Sequence, residues 1–371
     1  MGPPVRVSLD ATAIPARPAG GGRYVVELAR ALGTRPDVDV MVLARRGDGG
    51  RWRALPGDSV VEQAPASRPA RLAWEQVVLP RQLGRLPVDL HHAPHYTMPR
   101  RARLPTVVTI HDLTFFDHPE WHERVKAPFF RRAIRTAARH ASALVCVSGV
   151  TAARLDTLLG PAVPVRVIPH GVDHARFRPT GDGDDGLVAA LGVRRPYVAF
   201  LGTLEPRKDV PTLIRAFDLV AGARPDLTLV LGGIEGWGAR DVTAAIEAAA
   251  HGARVRRLGY VDDVAVPALL RGAAAVAYPS LDEGFGLPAL EALACGAPLV
   301  TTSGTAMAEV AGDAAVLVAP GDERALAEAL RAVLDGGAEV EARRGRGVER
   351  AAAYTWEASA AAHVEVYRSV L

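Results

Sequence analysis

Short apolar runs of strand length alternate with longer amphipathic stretches along almost the whole chain. In the first half the runs are Val5–Leu9, Val38–Leu43, Thr106–Ile110, Ala143–Val147 and Val165–Ile168. In the second they are Tyr197–Leu201, Thr228–Leu231, Val255–Leu258, Ala274–Tyr278, Leu299–Thr301 and Val316–Val318. Between them lie helical patterns: Tyr24, Leu28 and Leu32 share a face of Arg23–Leu32, and Leu213, Phe217 and Val220 share one of Val210–Val220. Strands alternating with helices make parallel sheets covered on both faces, and such sheets bind ligands at the carboxyl ends of their strands. The expected class is α/β, with two Rossmann-like doubly wound parallel-sheet domains facing across a cleft.

The alternation breaks once, at His170–Gly186, where Gly, Pro and Asp crowd together without periodicity. This predicts a first domain over 1–172, a linker over 173–186 and a second domain over 187–352. A terminal helix over 353–371 places Ala360, Val364 and Tyr367 on one stripe. Hydrophobic residues make up 49% and charged ones 23%, which excludes a disordered chain. No apolar run approaches the ~18 residues of a spanning helix. The opening MGPPVRVSLD lacks a signal-peptide layout, and Cys146 and Cys295 form no disulfide framework. The expected location is cytoplasmic. Net charge is only +3, but residues 1–172 hold 24 Lys and Arg against 14 Asp and Glu. A basic half predicts an anionic partner. Nucleic acid is not that partner: aromatic residues are 5%, too few for a stacking platform, and no recognition motif is present.

Several groups of residues carry chemistry. Gly20-Gly21-Gly22 precedes a helix, so it reads either as a backbone that lets a phosphate approach or as a flexible turn. His111-Asp112 closes a strand, where His111 meets a ligand or is simply hydrogen-bonded, with Asp112 capping the next segment. Gly202-Thr203-Leu204-Glu205-Pro206-Arg207-Lys208 sits at a strand–loop–helix junction, and its adjacent cations suit a pyrophosphate. Between Tyr278 and Glu291, a glycine-containing loop precedes a helix that Pro288 can open. The backbone amides of Gly286 and Leu287 and the carboxylates of Glu283 and Glu291 could face one ligand, and carboxylates suit sugar hydroxyls.

Three other readings fail. Gly284-x-Gly286-x-x-Ala289 matches a dinucleotide fingerprint, but a loop rather than a tight turn separates it from the strand, and Pro288 occupies the phosphate-facing position. His91-His92-x-x-His95 has no helical ligand spacing and no completing carboxylate, so no metal is expected. Asp37-Val38-Asp39 and Asp182-Gly183-Asp184 read as surface loops.

Together these motifs resemble the retaining glycosyltransferases of family 4, which have the GT-B fold. The matching residues are the early glycines, His111-Asp112, Ser148, His170-Gly171-Val172-Asp173, the Gly202–Lys208 segment, and Glu283-x7-Glu291 within EGFGLPALEALACGAPLV. The stretch TIHDLTFFDHPEWH is most similar to bacterial mannosyltransferases. The resemblance implies a hexosyltransferase whose co-substrate is a nucleotide-diphosphate sugar, with no other cofactor and no metal. Mannose from GDP-mannose is the first expectation. A UDP- or dTDP-sugar-dependent enzyme, or a GT-B-like sugar-nucleotide epimerase, is the alternative.

By that resemblance Arg207 and Lys208 neutralise the pyrophosphate, and Gly21 and Gly22 close over it. Glu291 accepts from the ribose, Glu283 from the hexose with the amides of Phe285, Gly286 and Leu287, and His111 sits beside the sugar. Asp112, Ser148, Thr203, Tyr260 and Val261 join the site, the last two near the base. Replacing Arg207 or Lys208 should then leave the melting temperature unchanged. The implied acceptor is a glycan, a lipid-linked sugar or a small molecule. Residues 124–140 hold six Lys and Arg and no acid. With Phe130, Ile134 and Ala137 on one stripe, the segment is either a core helix with a solvated basic face or a peripheral contact with anionic membrane at the inner face of the cell membrane.

Overall fold

The computed structural model describes residues 3–371 except 17, 19, 54, 56–58 and 102. It divides into two units, Met1–Gly171 with Thr355–Leu371, and Val172–Tyr354.

The first unit is built on a seven-stranded parallel sheet. Its strands are β1 (Val5–Asp10), β2 (Val38–Arg45), β3 (Val60–Ala64), β4 (Leu90–Ala93), β5 (Thr106–Ile110), β6 (Ala143–Cys146) and β7 (Val165–Val167), in the order β3-β2-β1-β4-β5-β6-β7. β1 lies inside the sheet, with Val7 opposite both Val40 and Leu90. Val7 and Leu9 are fully buried, as strands covered on both faces require. β3 and β4 were not marked in the sequence. VVEQA is a half-exposed edge, and LHHA carries two histidines where an apolar run was sought.

The second unit holds β8 (Tyr197–Leu201), β9 (Thr228–Gly232), β10 (Val255–Gly259), β11 (Ala275–Tyr278), β12 (Leu299–Thr302) and β13 (Ala315–Val318), all parallel, in the order β10-β9-β8-β11-β12-β13. Each sheet therefore reverses direction of winding once, between β1 and β4 and between β8 and β11. In doubly wound sheets that reversal opens the ligand-binding crevice at the carboxyl ends.

The segment expected as a linker over 173–186 is packed into the second unit. Phe177 is buried, the Arg176 guanidinium donates to the Asp263 carbonyl at 3.1 Å, and Asp184 pairs with Arg271 at 2.6 Å. Asp182-Gly183-Asp184 is thus not a free loop, since Asp184 opens the Asp184–Ala190 helix. Asp37-Val38-Asp39 is corrected likewise: Val38 and Asp39 lie in β2, and Asp37 pairs with Arg35 at 2.9 Å and Arg368 at 2.8 Å. The terminal helix Trp356–Ser369 belongs to the first unit and packs on the Gly21–Gly33 helix. Ala360, Val364 and Tyr367 are fully buried. Gly171 permits this junction, because a Cβ there would stand 2.2 Å from the Trp356 nitrogen.

Candidate functional site

In each unit most of the sequence-predicted residues follow strands at or beside the reversal point, whereas Ser148 follows β6, and Tyr260 and Val261 follow β10. In the first unit the Gly21–Gly33 helix follows β1, and Gly20 at its start has φ +47°, a left-handed value that favours glycine. Gly21 lies against two imidazoles: a Cβ there would meet His95 Cε1 at 3.3 Å and His111 Nε2 at 3.4 Å. Gly22 similarly touches Pro18 and Pro15.

His111 follows β5, and its Nε2 donates to the Pro94 carbonyl at 2.7 Å. That bond places the proton on Nε2 and leaves Nδ1 as an acceptor. Burial holds His111 below the usual histidine range. Asp112 accepts from the Tyr96 hydroxyl at 3.0 Å and from Thr114 Oγ1 at 2.7 Å, so it anchors the turn that follows. Ser148 is buried and caps the Gly149–Leu159 helix, accepting from the Thr151 amide at 3.1 Å. His170 packs its ring 4.7 Å from Tyr24 and 5.8 Å from Trp356.

Beneath these residues runs a buried hydrogen-bonded chain that sequence reasoning missed. Its links are Tyr367 OH to His92 Nδ1 at 2.8 Å, His92 Nε2 to Thr109 Oγ1 at 2.8 Å, Thr109 Oγ1 to Tyr24 OH at 3.0 Å and Tyr24 OH to His363 Nε2 at 2.9 Å. His363 Nδ1 ends it at the Ser359 carbonyl, 2.7 Å away. A carbonyl only accepts, so His363 Nδ1 donates and its Nε2 accepts from Tyr24. Following the protons back, Thr109 donates to Tyr24, His92 donates to Thr109 and Tyr367 donates to His92. Every link is satisfied with both histidines neutral. Burial supports this state, pushing His363 down to about 4 and His92 well below the ordinary value. Tyr24 and Tyr367 lie on the expected apolar stripes; His363 lies outside the stripe expected for its helix, and the partners of all three were unreadable.

His91 completes the histidine segment, with Nδ1 bonded to Ser8 Oγ at 3.0 Å. Among the described residues, no group of three or more His, Cys, Asp or Glu is arranged to hold a metal ion.

The second unit's constellation is charged. β8 leads through Thr203 and Leu204 into a short turn, Pro206–Lys208, which carries both cations. The loop after β11 brings Glu283 against them. Arg207 Nη1 donates to Glu283 Oε2 at 2.5 Å and to the Asp282 carbonyl at 3.0 Å, while its Nη2 donates to Glu205 Oε1 at 2.6 Å. Lys208 Nζ donates to Glu283 Oε1, as does Ser280 Oγ at 3.1 Å. Burial alone would raise the Glu283 carboxyl, but the charges and hydrogen bonds of Arg207 and Lys208 outweigh it and lower it to about 2. Glu205, whose role the motif alone does not show, is the second carboxylate on Arg207.

Gly286 opens the Leu287–Ala294 helix at φ +102°, and a Cβ there would lie 2.6 Å from Met307 Cγ. Pro288 stands in the first turn, where its missing N–H costs no intrahelical bond. Phe285, Leu287 and Glu291 are all buried, with the Phe285 ring 6.1 Å from that of Tyr354. Tyr260, just past β10, is half exposed, and Val261 is buried against Gly232.

Known proteins are similar to this chain in sequence and in fold. The profile described as Glycosyltransferase Family 4 matches residues 18–176, and that described as Glycosyl transferases group 1 matches residues 189–350. A D-inositol 3-phosphate glycosyltransferase of Acidothermus cellulolyticus is 31% identical over 395 residues, covering 95% of this chain and 86% of that protein. The O-antigen chain mannosyltransferase B of Escherichia coli is 28% identical over 282 residues, or 75% of this chain and 74% of that one. Among solved structures, HepE of Anabaena in complex with UDP and glucose superposes with a TM-score of 0.79 at 21% identity, covering 98% of this chain and all of that one.

Proposed function

This chain belongs to glycosyltransferase family 4 and has the GT-B fold, and on that premise we propose that it moves mannose from GDP-mannose to a hydroxyl of a glycan, glycolipid or small-molecule acceptor, with retention at the anomeric carbon and without a metal. The observation that carries the reading is the Arg207–Lys208–Glu283 cluster beside the reversal point between β8 and β11. Negative charge grows on a departing nucleoside diphosphate. Cations already fixed in place stabilise that charge more in the transition state than in the ground state. An incoming diphosphate would compete with Glu283 and Glu205 for Arg207 and Lys208, freeing Glu283 to accept from hexose hydroxyls.

The remaining assignments are part of the same proposal. Glu291 accepts from the ribose; the amides of Phe285, Gly286 and Leu287 assist at the sugar; Tyr260 and Val261 flank the base. Thr203 supports the turn that carries the cations. In the first unit Gly21 and Gly22 act on the phosphates, His111 acts on the sugar, and Asp112 and Ser148 hold the segments around it. Retention is assigned to front-face attack, with the leaving phosphate as base, so no enzymic nucleophile is named. Mannose is favoured by the Escherichia coli mannosyltransferase relative and by the TIHDLTFFDHPEWH segment. Buried free thiols at Cys146 and Cys295 support a cytoplasmic location.

A donor panel of GDP-mannose, UDP-glucose and dTDP-glucose tests this reading, following nucleotide release with and without acceptor extracts. GDP-mannose should turn over fastest, with an α-linked product from the α-linked donor and no loss of rate in EDTA. Preference for UDP-glucose would overturn the mannose assignment, an inverted product the retaining mechanism, and rate restored only by added Mg²⁺ the metal independence.

A further inference from the structure

We propose that a cavity in the first unit, between the Arg68–Val77 and Lys126–His140 helices, seats the chain–phosphate junction of a lipid, and that the surrounding face rests on an anionic bilayer. The cavity measures about 190 Å³, and Leu72, Met98, Phe129 and Ala133 supply its apolar walls, with Arg100 and Arg132 beside them. That is below the roughly 300 Å³ at which pockets begin to enclose a whole small molecule, so it takes a segment of a larger amphiphile.

Its polar floor is already satisfied. Glu75 is 2% exposed and accepts from Thr97 Oγ1 at 2.9 Å and from Gln76 Nε2 at 2.9 Å. Burial first, then nearby Asp10, raise its carboxyl to about 7.

The cations are available. Arg100 reaches Thr136 Oγ1 at 3.3 Å, and among the described residues no carboxylate pairs with Arg100, Arg132 or Arg139. Of the arginines on this helix, Arg131 turns inward, whereas Arg135 stays exposed beside Phe116. Arg131 donates to the Phe115 carbonyl at 2.6 Å and the Phe116 carbonyl at 3.1 Å, and Arg135 lies 5.1 Å over the Phe116 ring. Val125, Phe129, Arg132 and Arg139 are exposed at successive helical turns, with half-buried Thr136 between them.

Phe129 lines the cavity, and further exposed apolar side chains lie at the ends of the same two helices. Val77 is 58% and Val78 39% exposed at the end of one helix, and Val125 is 76% and Phe129 37% exposed at the start of the other. Among the described residues these are four of the unit's seven exposed large hydrophobics. Apolar groups beside unpaired arginines, on the basic half of the chain, complement a surface that is apolar inside and anionic outside.

Flotation with vesicles of phosphatidylcholine, with and without phosphatidylglycerol, tests the site without reference to turnover, so its outcome is independent of the sugar-transfer reading. The protein should float only with phosphatidylglycerol, and lose binding as salt rises. Arg132→Glu should weaken binding at least about fivefold, as expected for one interfacial cation. Ala133→Leu changes no charge but fills the cavity, and should weaken binding similarly. Arg166→Glu, on β7, should bind as the unmodified protein does. The proposal is overturned if anionic vesicles are ignored at low salt, if Ala133→Leu binds normally, or if Arg166→Glu weakens binding as much as Arg132→Glu. Displacement by glycerol phosphate would also overturn it, by making the occupant a soluble phosphate.

Discussion

The two units share one topology and place their polar residues at the same point of it, yet the residues differ in kind. In the first unit the constellation is neutral: His92, His363, Tyr24 and Tyr367 form one directional hydrogen-bonded chain, with His111, His95 and His170 packed over it. In the second it is ionic, with Arg207 and Lys208 held by Glu205 and Glu283. Both solve the problem of polar groups buried at strand ends. The neutral solution is sensitive to protons near pH 6. The ionic one is sensitive to loss of a partner and to competing anions.

The largest expected difference is in acid. Burial in the folded first unit pushes His91 and His363 down to about 4, and His92 and His170 well below their ordinary 6.5. Between those values the unfolded chain binds protons that the folded chain refuses, so stability falls as pH drops from 6.5 toward 4. His91 and His363 together would remove a few kcal/mol by pH 4, partly offset by Glu75, whose carboxyl burial raises to about 7. Glu283 behaves oppositely: its lowered carboxyl contributes stability above the ordinary 4.5, and that is lost only as pH falls toward about 2. Hydrogen exchange at pH 5 should open Met1–Gly171 and Thr355–Leu371 while Val172–Tyr354 stays protected. Uniform opening, or earlier opening of the second unit, would break the contrast.

Next in size is the loss of one cation. Lys208→Ala leaves the buried Glu283 with a single positive partner, and breaking a buried pair costs about 3–5 kcal/mol. The lysine side chain is 9% exposed and that of Arg207 is 19%, so water compensates Arg207→Ala better and its cost should be smaller. This reverses the expectation, drawn from the sequence, of an unchanged melting temperature. Either variant should lower kcat/KM by about 10²–10³ if the cations hold a leaving diphosphate. An unmoved melting temperature for Lys208→Ala would show that the ionic cluster does not stabilise the unit.

The same contrast explains what the sequence disclosed. Parallel α/β architecture was legible because β8 and β11 are apolar runs, β5 is nearly so, and β1 sets Val5, Val7 and Leu9 on alternate positions. β4 was not, because His91 and His92 occupy strand positions that only their partners Ser8, Thr109 and Tyr367 make tolerable. Arg207, Lys208 and Glu283 were legible as residue types beside glycine-containing turns. Their mutual pairing was not, since it depends on β8 and β11 being neighbours, which follows from the sheet's strand order rather than from local pattern. The 173–186 segment read as a linker because Arg176 and Asp184 find partners far along the chain, at Asp263 and Arg271.

The smallest expected difference compares the glycines that open the two helices. Gly286 has φ +102°, and a Cβ would stand 2.6 Å from Met307 Cγ and 3.3 Å from Met307 Cα. Gly286→Ala meets both backbone strain and overpacking, and should cost about 1–3 kcal/mol. Gly21 has helical geometry, and its Cβ would meet only imidazole edges at 3.3 and 3.4 Å. Those rings need yield only a few tenths of an ångström, and alanine gains up to about 1 kcal/mol in helix propensity over glycine. Gly21→Ala should therefore change stability by less than about 1 kcal/mol, while lowering turnover if the loop approaches a phosphate. Thermal unfolding and steady-state rates of the two variants decide it. Equal destabilisation would mean that His95 and His111 are held as rigidly as Met307, because His111, anchored through Pro94, could not make room.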